Sequence, residues 1–399
     1  MLVRTFVIVF TIILAKIFVI TNLPLEGKKS ILTKVLDDIE IHKATKIEDS
    51  QRDLLNSFVS ADATGDTKAQ YLIDYLPANY VKDGSRDYTK DIQNALTICD
   101  KLIFPAFPLL INDSGLKVES NKTLTFLKGS ELRLLPSSKK SYAILDIQNA
   151  NNVHIDGPVI IGDRYHHLGT SGEWGMGISI RGSSNVTILN ARISYCWGDG
   201  IYIGQTDKRK TSQNITVKNS YLKGNRRDGI SVISADGLLL ENIYAGYTNG
   251  TKPMTGINFE PNNEFCVLKN IKVINPRTEY NGSRGIQIGL KHFVGDLKKS
   301  SDILIVNHVD IGSPDNAFKM SANLETDSEK LHGYVKIVSP SWFKTRNDVP
   351  LNLSSNQANY LTYISSPKVT NREGRILPFV ELQSLLSRQS SRAKLKITK

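Results

Sequence analysis

The stretch that decides the fold is Gly177-Ile-Ser-Ile180, because the phrase returns five times: Gly200-Ile-Tyr-Ile203, Gly229-Ile-Ser-Val232, Gly256-Ile-Asn-Phe259, Gly285-Ile-Gln-Ile288 and Ala317-Phe-Lys-Met320. Successive copies are separated by 23, 29, 27, 29 and 32 residues. A second phrase runs out of step with the first: Asn185-Val-Thr-Ile188, Asn214-Ile-Thr-Val217, Gly237-Leu-Leu-Leu240, Phe265-Cys-Val-Leu268 and Asp302-Ile-Leu-Ile305. Two residues after each comes an asparagine: Asn190, Asn219, Asn242, Asn270 and Asn307. Alternation of period 2 in β-branched residues, bounded by Gly, Asn and Asp, reads as short strands between turns, at least two per repeat. Units this small with no helical stretch cannot each close a core, so they must stack.

Stacking like strand on like strand predicts an all-β, right-handed parallel β-helix with rungs ~4.8 Å apart. Ile178/Ile180, Ile201/Ile203, Ile230/Val232, Ile257/Phe259, Ile286/Ile288 and Phe318/Met320 then form two inward columns. The asparagines are expected to line up as a turn ladder. A solenoid needs caps at its open ends. Asp83–Leu96 is predicted to be a turn and then an amphipathic helix, with Thr89 as N-cap and Ile92, Ala95 and Leu96 on the buried face.

Around this body the chain divides into a leader (1–23), an extension (24–77), the β-helix (78–365) and a basic tail (366–399). Leu2–Ile20 is apolar apart from Arg4, Thr5, Thr11 and Lys16, which predicts a signal peptide or a membrane anchor and hence an exported protein. In the tail, Ile376–Leu386 is predicted to form a short helix and Ser387–Lys399 to be disordered. With 40% hydrophobic and 22% charged residues, the 399-residue chain is neither disordered, collagen-like nor a polytopic membrane protein. The net charge of +11 sits mainly outside the repeats: the leader carries +2 and the chain from Lys368 onward +6, which leaves +3 for the body. That is no footprint for nucleic acid. Cys99, Cys196 and Cys266 lack the number for a disulfide framework and the spacing of a zinc site. No metal site and no cofactor are predicted.

The cap "VKDGSRDYTKDIQNAL" followed by "LIFPAF" resembles the start of the pectate-lyase-like superfamily of polygalacturonases, polysaccharide lyases, carbohydrate epimerases and phage tailspikes. The resemblance covers roughly residues 80–365. It implies the right-handed β-helix and a carbohydrate-related role; the scaffold hosts several chemistries, so it does not imply one reaction. Against the polygalacturonases, "GEWGMG", "WGDG", "RRDG" and "GINFE" stand where the motifs NTD, DD, GHG and RIK would fall. Of the acidic positions only Asp199 matches, and two of that family's three catalytic carboxylates have no counterpart.

With the isoleucines inward, Ser179, Tyr202, Ser231, Asn258, Gln287 and Lys319 form an outward polar column, suited to an extended sugar chain. Asp199 and Asp228 each precede the glycine of the phrase in neighbouring rungs, so they should lie about 5 Å apart. One of two such carboxyls should then hold its proton, as a general acid must. Glu260 lies five residues further along its strand and is expected to stand apart from them, as a substrate-binding residue. Trp174 and Trp197 could form an aromatic platform for pyranose faces, His166 and His167 an acid/base option, and Arg226 and Arg227 the holders of a carboxylate or sulfate. The sequence thus predicts an exported carbohydrate-active enzyme that cleaves glycosidic bonds of an extended, acidic polysaccharide with Asp199 and Asp228. The alternatives are a lyase or uronate epimerase using a basic residue, and a non-catalytic glycan-binding or surface β-helix.

Overall fold

The computed structural model describes residues 69–294, 299–321, 331–343, 349–354, 357–388 and 393–399. The leader and nearly all of the extension expected before residue 78 lie outside the described residues. In the described part, every paired strand runs parallel to its partner. Nine strands build one sheet, from Leu116–Lys117 through Trp174–Arg181, Ile201–Gly204, Ile230–Val232, Thr255–Phe259, Arg284–Gly289 and Asn316–Ser321 to Leu351–Ser354. A second sheet of twenty strands wraps the other two sides of each rung, so a rung holds three strand segments rather than two. An example is Trp174–Arg181, then Ser184–Leu189, then Arg192–Ser194.

The register is the one the phrases predict. Ile178, Ile201, Ile230, Ile257, Ile286 and Phe318 are successive partners, as are Ile180, Ile203, Val232, Phe259, Ile288 and Met320. All are buried, and each such side chain stabilises the stack by roughly 1.5–3 kcal/mol. The glycine that opens each phrase has a steric reason. A Cβ at Gly177, Gly200, Gly229, Gly256 or Gly285 would sit 2.5–2.8 Å from the carbonyl oxygen of the residue in the same place one rung on. The last oxygen in that series belongs to Ala317, where the column of glycines ends.

The asparagines form two ladders, not one. Asn152, Asn185 and Asn214 each donate Nδ2 to the Oδ1 of the preceding member, beginning at Asn121. Asn242, Asn275 and Asn307 do the same, beginning at Asn219. Asn270 therefore belongs to the column of Asn214 and Gly237, and Asn275 takes the place the sequence reading gave it. Each ladder asparagine is held at φ between +50° and +63°, a conformation its side chain tolerates better than most.

At the N-terminal end the helix α1, Thr89–Ile98, buries Ile92, Ala95 and Leu96. Its N-cap is Tyr88 rather than Thr89; Asp87 Oδ1 accepts from both the backbone N–H and the hydroxyl of Thr89 at the first turn. Gln70–Tyr71 already pairs with Leu102 and Ile103, and Leu72 is fully buried, so the cap begins before residue 78. At the other end the basic tail continues the solenoid. Lys368–Thr370 pairs with Ser341–Phe343, the helix α2 (Phe379–Arg388) buries Leu382 and Leu386, and Ala393–Thr398 pairs with Gln357–Ser365. The expectation of disorder for Ser387–Lys399 is thereby corrected for its last stretch: Leu395 and Ile397 are partly buried against the core, an apolar alternation obscured in the sequence by Lys394 before them and Lys396 between them. Among the described residues no helix is long and apolar enough to cross a membrane.

Candidate functional site

The outward column is in register: Ser179, Tyr202, Ser231, Asn258, Gln287 and Lys319 are successive partners on the nine-stranded sheet. It is not an open polar face. Ser179, Ser231, Asn258 and Gln287 are buried. Arg181 covers the first two positions, donating Nε to Ser179 Oγ at 3.0 Å and lying 4.4 Å from the centre of the Tyr202 ring.

Asp199 and Asp228 converge, as their neighbouring rungs require, and both are wholly buried. What joins them is Arg227. Its Nη1 lies 3.1 Å from Asp199 Oδ2 and 3.2 Å from Asp228 Oδ2, and its Nη2 lies 3.2 Å from Glu260 Oε2. Glu173 stands 3.7 Å from Nε. Asp199 Oδ1 also accepts the backbone N–H of Asp228 at 3.0 Å. Asp228 Oδ1 accepts from Thr255 N, and its Oδ2 from Ser231 Oγ and Asn258 Nδ2. Burial first, and then the Asp199 charge, push the Asp228 carboxyl up to about 8, against the pull of Arg227 and these donors; burial raises Asp199 as well. Two carboxyls this close cannot both ionise easily in a low dielectric, so the pair retains a proton near neutral pH. Four carboxylates in turn hold the Arg227 guanidinium firmly charged.

Glu260 is the first correction. The strand offset sets it five residues from Asp228, yet it shares Arg227 and also accepts from Asn258 Nδ2 at 3.0 Å. The chain is not extended at Asp228: Ser231, three residues on, reaches back to its carboxylate at 3.0 Å. Long side chains then close the remaining gap. Arg227 is the second correction, since its guanidinium is already held by the protein's own acids. Arg226 is equally engaged: Nη1 donates to Gly172 O at 2.7 Å and to Trp197 O at 3.3 Å, and the guanidinium lies 3.7 Å over the Trp197 ring. Trp197 is therefore no platform. It is only 8% exposed, stacked between Arg226 and His167, whose ring centre is 3.8 Å away. Trp174 remains open to solvent.

Of the two histidines, His166 is exposed and His167 is a brace. His167 Nδ1 lies 2.8 Å from Asp163 Oδ2, which requires the proton on Nδ1, and Tyr142 donates to the other oxygen of Asp163. This Tyr142–Asp163–His167 group holds the loop beside the acidic cluster. Sequence reading missed Tyr142 and Asp163, because neither lies in a recurring phrase.

The amides of the column have a fixed direction. Glu260 Oε2 accepts from Asn258, so its Nδ2 faces the carboxyls, Asp228 Oδ2 included, and its Oδ1 is left to accept from Gln287 Nε2 at 3.2 Å. Gln287 Oε1 in turn accepts from Arg284 Nη1 at 2.9 Å. Lys319 follows one rung beyond Gln287, half-buried, its acidity strengthened by burial and by Arg284. The face thus runs from an acidic end at Arg227 to a basic end at Lys319. Among the described residues no group of three or more His, Cys, Asp or Glu side chains is set to hold a metal ion; at the centre of the four carboxylates lies a guanidinium. The three cysteines are free and buried.

A family model described as the right-handed β-helix region matches residues 111–290. The chain is a right-handed parallel β-helix. It is 27% identical over 263 residues to the uncharacterized protein YclG of Bacillus subtilis (strain 168), covering 58% of this chain and 43% of that one. It is 34% identical over 162 residues to the SPbeta prophage-derived uncharacterized protein YorA of the same organism, covering 37% of this chain and 28% of that one. The chain thus spans less than half the length of either relative. Among solved structures, the catalytic unit of a GH87 α-1,3-glucanase from Streptomyces thermodiastaticus superposes with a TM-score of 0.50 at 15% identity, over 86% of this chain and 69% of that one. That likeness is one of fold.

Proposed function

We propose that the protein is an exported carbohydrate-active enzyme that cleaves glycosidic bonds of an extended polysaccharide laid along the nine-stranded sheet. The observation that carries this reading is the convergence of Glu173, Asp199, Asp228 and Glu260 on Arg227, with the Asp228 carboxyl raised to about 8. A carboxyl that keeps its proton at neutral pH has the acidity needed to protonate a leaving glycosidic oxygen, and Asp228 meets the sugar once the side chains that cover it move aside. Arg227 and Asp199 set its acidity. Glu173 and Glu260, each with about a third of the side chain exposed (35% and 37%), are the carboxylates placed to meet the sugar, and Trp174 offers an exposed ring beside them. Carbohydrate chemistry on this fold in the GH87 glucanase fits the reading by analogy alone.

A second reading, a non-catalytic glycan-binding or surface β-helix, draws on a different observation: Asp199 and Asp228 have no exposed surface, and Arg227 satisfies them without a ligand. The deciding experiment incubates the full chain with acidic and neutral polysaccharides and reads reducing ends and ultraviolet absorbance together. The hydrolytic reading expects reducing ends without absorbance, lost in Asp228→Asn while the thermal melt persists. Absorbance from an unsaturated uronate assigns a lyase, and binding without either signal assigns the non-catalytic role.

A further inference from the structure

We infer that Lys319 and Arg284 form an oxyanion subsite for the carboxylate or sulfate of an acidic sugar, on the outer face in the rungs beyond Asp228. The inference rests on the glycan reading of that face and adds to it the class of sugar.

Lys319 lies three rungs beyond Ser231 in the outward column, roughly 14 Å from it at the rung spacing. Its side chain is half-buried, yet its ammonium has no acceptor among the described residues. The neighbour that could have served, Gln287 Oε1, already accepts from Arg284. Arg284 is itself incompletely matched. Its Nη2 lies 3.4 Å from Asp315 Oδ2, while its Nε is buried with no acceptor. Asp315 is about half exposed (49%) and also accepts from Ser283 Oγ.

Two cations are thus held close together on partly buried positions, against the solvent-turned carboxylate of Asp315 and the buried Asp228 carboxyl, which also acts on Arg284 but keeps a proton near neutral pH. Burial makes each charge costlier, and their proximity adds repulsion; both effects weaken the hold of Lys319 on its proton. An ordinary solvated face does not gather like charges and leave a buried guanidinium N–H without an acceptor. An oxyanion from outside supplies what is missing: acceptors for Lys319 Nζ and Arg284, and a second negative charge. Carboxylate and sulfate share this chemistry. At the Arg227 end the balance differs: Asp199, Glu173 and Glu260 already gather on the guanidinium together with the proton-holding Asp228, and its Nε, though without a hydrogen-bond partner, has Glu173 at 3.7 Å, so a further anion is repelled. An acidic chain therefore places its charged group at Lys319 and presents its uncharged edge to Asp228 and Glu260.

The test measures calorimetric binding of three probes to the full chain: hexagalacturonate, a sulfated heparin hexasaccharide and neutral maltohexaose. The subsite predicts that at least one acidic probe binds more tightly than the neutral one, with an affinity that falls as salt rises. Lys319→Met removes about tenfold of that affinity, the loss of one charge-assisted hydrogen bond, and flattens the salt dependence, whereas Lys319→Arg retains most of both. Which acidic probe binds tells carboxylate from sulfate. The subsite is overturned if neither acidic probe binds, if acidic and neutral probes bind alike, or if Lys319→Met with an unchanged melt keeps full affinity. Turnover in Asp228→Asn separates this proposal from the catalytic reading. Loss of turnover with unaltered binding in Lys319→Met leaves the hydrolase and removes the subsite; full turnover in Asp228→Asn with weakened acidic binding in Lys319→Met does the reverse.

Discussion

Replacing Arg227 with methionine removes the guanidinium that four carboxylates share and keeps most of the side-chain volume. Asp199 and Asp228 are then left buried beside one another, without the cation that lies 3.1 and 3.2 Å from them. Breaking a buried ion pair from one side costs about 3–5 kcal/mol, and here one cation serves two fully buried acids. The upper part of that range is the expectation at pH 8. The pH dependence has a definite sign. Asp228 has a folded-state pKa raised to about 8. Its stability contribution is therefore full below the ordinary carboxyl range, near pH 4, and is lost as pH rises through 8. Without Arg227 both aspartates shift further up, so the variant loses stability more steeply than the wild type across this window. Urea unfolding at pH 5 and pH 8 should show a deficit that grows with pH at unchanged slope. Asn at positions 199 and 228 should restore much of it. A deficit below about 1 kcal/mol at pH 8, or one that is larger at pH 5, would mean that Arg227 does not compensate the two buried acids.

Other consequences follow from groups elsewhere in the coil. Asp310 is fully buried, with Oδ1 accepting from Thr278 and Ser313, Oδ2 without a donor, and its carboxyl raised to about 7 by burial. The stability it contributes is full below pH 4 and is lost as pH rises through 7, by at most on the order of 4 kcal/mol. Asp310→Asn should flatten the stability profile between pH 4 and 8, and a variant with the wild-type slope would discard that assignment. The neighbouring His308, lowered to about 3 by burial, acts in the opposite sense, losing stability as pH falls below the ordinary histidine range, and keeps that effect in the variant. Gly229→Ala places a Cβ 2.5 Å from the backbone oxygen of Gly256. Because a backbone atom cannot swing aside, a loss of about 3 kcal/mol is expected, read from a lowered urea midpoint at unchanged slope; a loss under about 1 kcal/mol would show that the rungs can part there.

The repeats made the coil legible because a rung is a local pattern repeated. Ile178 to Phe318 needed only period 2 and a phrase to align, and the outward partners from Ser179 to Lys319 followed from the same register. The ladders were harder. Asn270 and Asn275 lie five residues apart in one rung, and both precede or follow similar apolar triplets, so only the pairing of Asp236 with Lys269 shows which column each joins. The site was legible in its backbone positions and not in its side chains. Strand arithmetic located Asp199 and Asp228, but the reach of Arg227 and the turn at Asp228 brought Glu260 to them. Likewise the stacking of His167, Trp197 and Arg226 depends on how the loop before Trp174 folds over the next rung, which no periodic pattern encodes. Burial is a property of what lies on top, and the sequence of a strand does not state it.

The carboxyl groups gathered on Arg227 retain a proton at Asp228 on the outer face of the coil. Infrared difference spectra of the wild type minus Asp228→Asn, recorded from pH 4 to pH 10, measure that proton directly through the protonated carboxyl stretch. A band that persists at pH 7 and disappears around pH 8 is expected. A carboxyl band already lost by pH 5 would contradict it, and would leave Asp228 an ordinary ionised partner of Arg227.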